Sequence, residues 1–351
     1  MNECEATANV RSCGPARAIL RIGAFFGLTI ILSILLHAAI NQGARQITTS
    51  QFGVWNQAVG GTSHAEIVIS GSSRALVHYD AATIQDITGL SAYNFGQNAT
   101  RTDLQFAFLK TYLEHNEDPA FIIQNLDLHS FALSEEIYIP AQYVPYLNEE
   151  EIYAALRRIE PSAWKWRWIP LYGYSVVDMR FTWMTGLKGL VGIDPPEDRI
   201  LGFNPRYREW TGEFDRFKAD NPSGVDIDYE SEGIELFDEM VRFCVQRGIT
   251  IILVYSPEYF EMSALANNRA QIFAIINEIA SRYEIEFWDY SLTDITKRRE
   301  NFYNSQHLNY QGAGEFSRDI GERLLPLIAA GKGPPPTMLS AVEEDAGGSA
   351  K

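Results

Sequence analysis

Residues 65–80 read AEIVISGSSRALVHYD, and the reading of this stretch decides the fold. It opens with a short run rich in β-branched residues, the composition of a buried strand. The run stops at Gly71. Ser72 and Ser73 follow, and then a segment able to wind into a helix. A strand that turns sharply into a helix leaves its turn residues at the carboxyl edge of the sheet, where open α/β sheets hold their ligands. A serine there points its hydroxyl outward while its own N–H sits at a helix N-terminus, ready to meet a negative oxygen. Gly-Ser-Ser after a strand is also an ordinary helix cap. The tripeptide alone therefore assigns no chemistry.

A partner stands near the other end of the chain. Residues 302–316 read FYNSQHLNYQGAGEF and hold His307 in a polar loop before a helix expected from Tyr310 to about Ala329. A serine and a histidine on two loops at one sheet edge are the minimum for nucleophilic acyl chemistry. The imidazole takes the serine proton and backbone N–H groups hold the oxyanion.

Outward from these two stretches the chain keeps an α/β rhythm. Strands are expected at 65–70, 91–95, 120–126, 249–255 and 285–290. Helices are expected at 81–88, 103–115, 232–247 and 262–283. Strand, helix, strand in this order implies parallel pairing. The predicted fold is α/β, a three-layer sandwich around a central, mainly parallel five-stranded sheet. Ser256-Pro257-Glu258-Tyr259 falls at the carboxyl end of the fourth strand, facing the presumed site.

The rhythm breaks over residues 128–225, an insertion rich in tyrosine, tryptophan and proline that includes WKWRW at 164–168. Its plain reading is mixed core and surface. Its sharper reading is a platform for the membrane interface or for sugar rings, both of which suit aromatic side chains. Loops that interrupt an α/β core commonly form the wall of its site.

Residues 22–40 contain no Asp, Glu, Lys or Arg and are just long enough to span a bilayer. The run is longer than a signal peptide's apolar region and lacks a good cleavage site after it, so an uncleaved anchor is favoured over a signal peptide. Arg11, Arg17 and Arg21 precede it and only Arg45 follows closely. That bias places the N-terminus in the cytoplasm and the remainder outside, in the periplasm if the cell is Gram-negative. The expected organisation is a cytoplasmic stub at 1–21, the anchor at 22–40, a linker at 41–63, a domain at 64–330 and a disordered tail at 331–351. Cys4 and Cys13 lie in the stub and Cys244 in a helical pattern, so no disulfide is expected and Cys244 reads as core.

The formal net charge of −16 over 351 residues argues against nucleic acid as a partner, since such binding needs a basic footprint. The chain has no His-x-x-x-His, no Cys-x-x-Cys and no glycine-rich phosphate loop. No metal and no cofactor are expected.

Three blocks, Gly-Ser-Ser-Arg at 71–74, Tyr-Asn-Phe-Gly-Gln-Asn at 93–98 and His-Leu-Asn-x-x-Gly-Ala at 307–313, resemble in content and order the SGNH/GDSL hydrolase superfamily, whose sheet is flavodoxin-like. The nearest likeness is to its membrane-anchored extracytoplasmic branch. That branch includes polysaccharide O-acetyltransferases and the D-alanyl transfer protein of teichoic acid modification. The closing block is the most specific of the three.

The resemblance implies that Ser73 is the nucleophile, with Ser72 the alternative if the turn slips by one, and that His307 is the base. It implies an oxyanion hole of the Ser73 and Gly96 N–H groups with an Asn side chain. Leu126 stands where that Asn would fall if Asp127 anchors the match, so Asn98 or Asn125 is the stand-in. The family's closing Asp is here Asn304, which accepts an imidazole N–H but offers no charge; the same exchange in a serine protease costs about 10⁴ in rate. Asp289 or Asp294 is the candidate helper carboxylate. His78 and Asp80, after the nucleophile turn, read as capping or packing the first helix.

The same resemblance implies an acyl donor with a carbohydrate acceptor for a transferase, or with water for an esterase, beside a multispanning membrane acyltransferase. The alternative is a non-catalytic accessory protein of the same fold that binds polysaccharide or a synthase partner.

Overall fold

β-Branched runs that stay apolar on both faces belong at the centre of a parallel sheet, and three such runs order this chain. The computed structural model describes residues 15–175 and 182–331. The expected features at Cys4, at Cys13, in the rest of residues 1–14 and in the tail beyond 331 lie outside them.

In chain order the elements begin with α1 (Pro15–Ala44), α2 (Ser50–Val59), β1 (Ile67–Ser70), α3 (Ser73–His78), α4 (Ala81–Thr88), β2 (Ala92–Asn94), α5 (Thr102–His115) and β3 (Phe121–Leu126). The interrupting segment holds α6 (Glu150–Ile159), α7 (Trp164–Trp168), α8 (Tyr172–Ser175), α9 (Thr182–Gly189) and α10 (Glu213–Asp220). Then come α11 (Ser231–Gln246), β4 (Thr250–Tyr255), α12 (Phe260–Ser263), α13 (Arg269–Arg282), β5 (Glu286–Asp289), β6 (Phe302–Asn304), β7 (His307–Leu308) and α14 (Tyr310–Ala329).

β1 to β5 form one all-parallel sheet in the order β2-β1-β3-β4-β5, and β6 pairs with β7 in a separate antiparallel hairpin. The order reverses between β1 and β3. An open α/β sheet has its crevice at such a reversal, beyond the carboxyl ends of the strands. Alternate strand residues divide between two apolar clusters. Val68, Ile122, Leu253 and Tyr255 join one with α5 and α11, while Ile67, Ile69, Ile123 and Val254 join the other with α4 and α14.

The elements differ from expectation in three places. Residues 41–63, expected as a linker, carry the last turn of α1 and the whole of α2. Trp55 of α2 is fully buried, stacked on Tyr146 at 4.8 Å and edge-on to Phe108 at 4.7 Å. The Asn56 side chain donates to the carbonyls of Ala44 and Ile47 and accepts from the Tyr146 hydroxyl. Polar Ser, Gln and Asn on the helix disguised a buried face whose aromatic partners, Phe108 and Tyr146, lie far along the chain. The helix expected over 262–283 is interrupted between α12 and α13, where Val225 and Ala266 form a bridge. His307, placed in a loop, sits in the β6–β7 hairpin.

α1 is apolar, unburied over its hydrophobic stretch, and long enough to cross a membrane. Its far end is not free of the domain: Ile40 and Ala44 are buried in the core. Cys244 is likewise buried, and burial pushes its thiol up to about 12.

Trp55→Ala is expected to cost about 3–5 kcal/mol of stability, read by denaturant unfolding of the detergent-solubilised protein. A loss below about 0.5 kcal/mol, the usual effect of a surface change, would return this segment to the status of a tether.

Candidate active site

Gly71 makes the corner after β1. Its φ is +145°, and a Cβ there would lie 2.9 Å from the Cβ atoms of both Ala75 and Asn125. No other residue fits this conformation and this spacing. The tight corner lets Ser72 cap α3, accepting from the Arg74 N–H at 3.4 Å and donating to Asp127 Oδ2 at 2.8 Å. Asp127 follows β3, so this bond ties the two loops on either side of the strand-order reversal. Ser73 begins α3 and its Oγ lies 2.8 Å from His307 Nε2. Ser72, the alternative nucleophile, is thereby occupied with Asp127, and the imidazole faces Ser73.

The imidazole is held from three sides. Asn304 Oδ1 accepts from the Gln306 N–H at 3.0 Å, the His307 N–H at 2.9 Å and His307 Nδ1 at 3.0 Å. Two of those donors are backbone groups that cannot reverse their role. They require oxygen, not NH₂, at that point of the Asn304 amide, so Nδ1 carries the ring proton and Nε2 offers its lone pair to Ser73. Tyr303 stacks on the imidazole face at 5.4 Å and 13°. Beneath the hairpin, buried His78 accepts the Leu308 N–H on Nε2 at 3.0 Å and meets Ser256 Oγ through Nδ1 at 2.9 Å. Leu308 is the neighbour of His307, so His78 sets the height of the hairpin. Asp80 caps α4 through the Ala82 and Thr83 N–H groups.

These side chains open on a cavity of about 470 Å³, lined by Ser73, His307, Asp127 and Glu258 together with residues 99–101 and 134–136. The interrupting segment thus supplies part of the wall. At the base lies a buried pair, Arg74 and Glu258, 3.8 Å apart. The guanidinium also donates to the Ser256 carbonyl and covers the Tyr255 ring, while Glu258 accepts from Ser263 Oγ at 2.6 Å and from the Tyr255 hydroxyl. Burial opposes the Arg74 charge, but Tyr255, Glu258 and Asp127 hold its pKa above the ordinary arginine value. Desolvation and the Arg74 charge, against the pull of Asp127 and aided by Arg206, bring His307 down to about 4. Burial, then Arg74 and His307, holds His78 well below the usual histidine value. Both rings are neutral at pH 7, and His307 is in the form that accepts a proton.

The structure corrects several expected site residues. The Gly96 N–H donates to Asn94 Oδ1 at 2.8 Å and turns away from an oxyanion. Gly96 is there for close packing, since a Cβ would lie 2.3 Å from the Leu76 N. Asn125 is buried, accepting from the Tyr79 hydroxyl at 2.9 Å and donating one N–H to the Leu126 carbonyl at 3.2 Å, and it does not line the cavity. Asn98 is half-buried and does not line the cavity. Asp289 and Asp294 are exposed, line a different hollow with α14 and bond to Ser291 and Lys297. Neither touches the imidazole, whose second nitrogen already belongs to Asn304.

The Ser73 N–H was foreseen as a free donor; those of residues 99 and 100 were not. Among the described residues, no acceptor meets the N–H groups of Ser73, Ala99 or Thr100. Ala99 lines the cavity with φ +51°, a conformation rare for a residue with a side chain. The positioning roles of His78 and Tyr303 were also missed. The one available signal was that each histidine-bearing stretch carries a second ring close by in sequence.

No known protein-family model matches the chain, and no curated protein matches it.

Asn304→Asp is expected to raise the His307 pKa from about 4, because a carboxylate stabilises the imidazolium that an amide leaves unaided. An NMR titration of the ring protons reads the shift. The wild-type ring also makes stability pH-dependent. Its folded pKa lies below the unfolded value of about 6.5, so its contribution is full above that pH and falls as pH drops toward 4.

Proposed function

We propose that this chain is a membrane-anchored serine acyl-transfer enzyme of SGNH type, with the three-layer arrangement of that superfamily. It acts outside the cytoplasm as an O-acyltransferase or esterase on a cell-surface or exported polysaccharide. One observation carries the reading: a serine hydroxyl 2.8 Å from an imidazole whose other nitrogen is fixed as a donor by Asn304, at the mouth of a cavity that an ester fits. The three sequence blocks that resemble the superfamily supply the substrate class.

The reaction divides into two steps. Ser73 Oγ attacks the acyl carbonyl carbon and gives its proton to His307 Nε2, and the carbonyl oxygen becomes negative. The C–O bond to the leaving group breaks, and the leaving oxygen takes the proton from His307. The acyl group is then an ester of Ser73. A carbohydrate hydroxyl, or water, gives its proton to His307 and attacks that ester. The bond to Ser73 breaks, Ser73 regains its proton, and the acylated sugar or free acid departs. The oxyanion rests on the Ser73 N–H and on the unaccepted N–H groups of residues 99 and 100. Asn304 orients the ring without adding charge, and the imidazolium is correspondingly less stabilised. A multispanning membrane acyltransferase is the natural source of the acyl group, because a donor made in the cytoplasm must cross the membrane to reach this site.

Two observations favour a second reading, an accessory protein that binds glycan without turnover. Asn304 replaces the carboxylate, and Gly96 and Asn125 are withdrawn from the oxyanion position.

Fluorophosphonate labelling and acetyl-ester turnover by the full-length protein separate the two. The enzyme reading expects labelling that Ser73→Ala abolishes, and a loss of about 10²–10⁴-fold in turnover for His307→Ala. It also expects the acid limb of kcat/KM near pH 4, where the imidazole takes its proton, and not near 6.5. Folded wild-type protein that neither labels nor turns over ester while binding glycan makes the chain an accessory protein.

A further inference from the structure

The charge-free run of α1, residues 22–40, spans about 28 Å at 1.5 Å per residue, close to the about 30 Å of hydrocarbon in a bilayer, so its far end lies at the membrane boundary. Within them the hydroxyls of Thr29 and Ser33 donate to the carbonyls of Phe25 and Thr29, so this stretch presents no unsatisfied side chain to lipid. Arg21 can reach the near headgroups along its own stem. His37 lies near that far end.

The residues around His37 belong to the interrupting segment. The Leu171 N–H lies 3.2 Å from His37 Nδ1, and the Tyr174 hydroxyl donates to Asn41 Oδ1 at 2.5 Å. α9 lies against α1 backbone to backbone: Gly186 meets Ile40, and both Gly186 and Gly189 meet Gly43. The pairings 186 with 40 and 189 with 43 make the two helices run in the same direction. Trp183 and Met184, at the start of α9, therefore stand level with His37. A Cβ on Gly43, Gly186 or Gly189 would overlap backbone, so the two helices touch backbone to backbone here.

At this level the surface is apolar and aromatic. Trp168 is 67 % exposed, Trp164 42 %, Ile169 40 %, Trp183 38 % and Met184 37 %. Trp166, between the first two, is buried in the core. Lys165 covers the rings of Trp164 and Tyr172, and Arg167 covers that of Trp168. Indole rings with an apolar body, a polar N–H and a neighbouring cation are the side chains that partition to the headgroup boundary.

We propose that Trp164, Trp168, Ile169, Trp183 and Met184 form a collar around the exit of α1 that sits in the interfacial layer of the bilayer. The collar holds the domain flush against the lipid in one orientation. The occupant of this surface is the lipid surface itself, because the patch is continuous with the anchor and begins where the apolar span ends.

The test uses the full-length protein in phosphatidylcholine–phosphatidylglycerol vesicles. Tryptophan emission is compared between ordinary lipid and lipid brominated near the headgroup end of the acyl chain. Bromine should quench part of the emission. Trp164→Phe, Trp168→Phe and Trp183→Phe should each shrink the quenched share, and the triple variant should remove most of it. Trp210→Phe, half-buried elsewhere, should leave the share unchanged. Emission indifferent to bromine, or a quenched share that survives in the triple variant, overturns the proposal. So does emission that ignores bromine but shifts on adding an oligosaccharide, which would assign these rings to glycan. None of these outcomes depends on esterase activity.

Discussion

The bond between Ser73 Oγ and His307 Nε2 joins positions 234 apart in the chain, and the other features of the site exist to bring its two ends together. One end requires a corner so tight that only Gly71 fits, on a strand flanked by β2 and β3. The other requires a two-stranded hairpin carried on the start of α14 and pinned from below by His78. Ser72 and Asp127 then close the gap between the strands on either side of the reversal in strand order. The site is thus made by the sheet's topology, and its side chains are joined by hydrogen bonds across the crevice.

Its electrostatics differ from those of a Ser–His–carboxylate site. Asn304 supplies direction without charge. The usual hazard of such a replacement is that the amide turns its NH₂ toward the ring and selects the wrong tautomer. Here two backbone N–H groups hold the carbonyl oxygen in place. The ring keeps the useful tautomer but loses the ion partner that would stabilise its cation. Arg74 adds to this loss from below, although Glu258 offsets part of its field. A base with a low pKa is unprotonated at pH 7, but it is a weak base and does not hold a proton well.

The fold was legible where local pattern and tertiary role agree. The runs of β1, β3 and β4 and the glycine after α4 are examples, and so is α14, whose observed limits are those expected. The Ser73–His307 pairing was legible because each residue follows a short polar stretch beside an expected strand or helix end, although His307 proved to lie in β7 and not in a loop. What escaped was set by distant partners. Trp55 lies on a helix that reads as polar until Tyr146 and Phe108 cover it. Gly96 matches a motif position, but its N–H was claimed by Asn94, two residues away, through a side-chain bond that no spacing rule foretells. Asn125 was the stand-in for a missing Asn of the motif, yet it is buried and bonded to the Tyr79 hydroxyl. Ala99, which lines the cavity, has a positive φ that leaves no trace in residue type.

The central claim is that Asn304 fixes the protonation pattern of His307 so that Ser73 faces a free lone pair. Nitrogen-15 NMR of the imidazole at pH 7 reads that pattern directly, because protonated and bare ring nitrogens have well-separated shifts. The account predicts a bare Nε2 and a protonated Nδ1. A proton on Nε2, with Nδ1 bare, would contradict it.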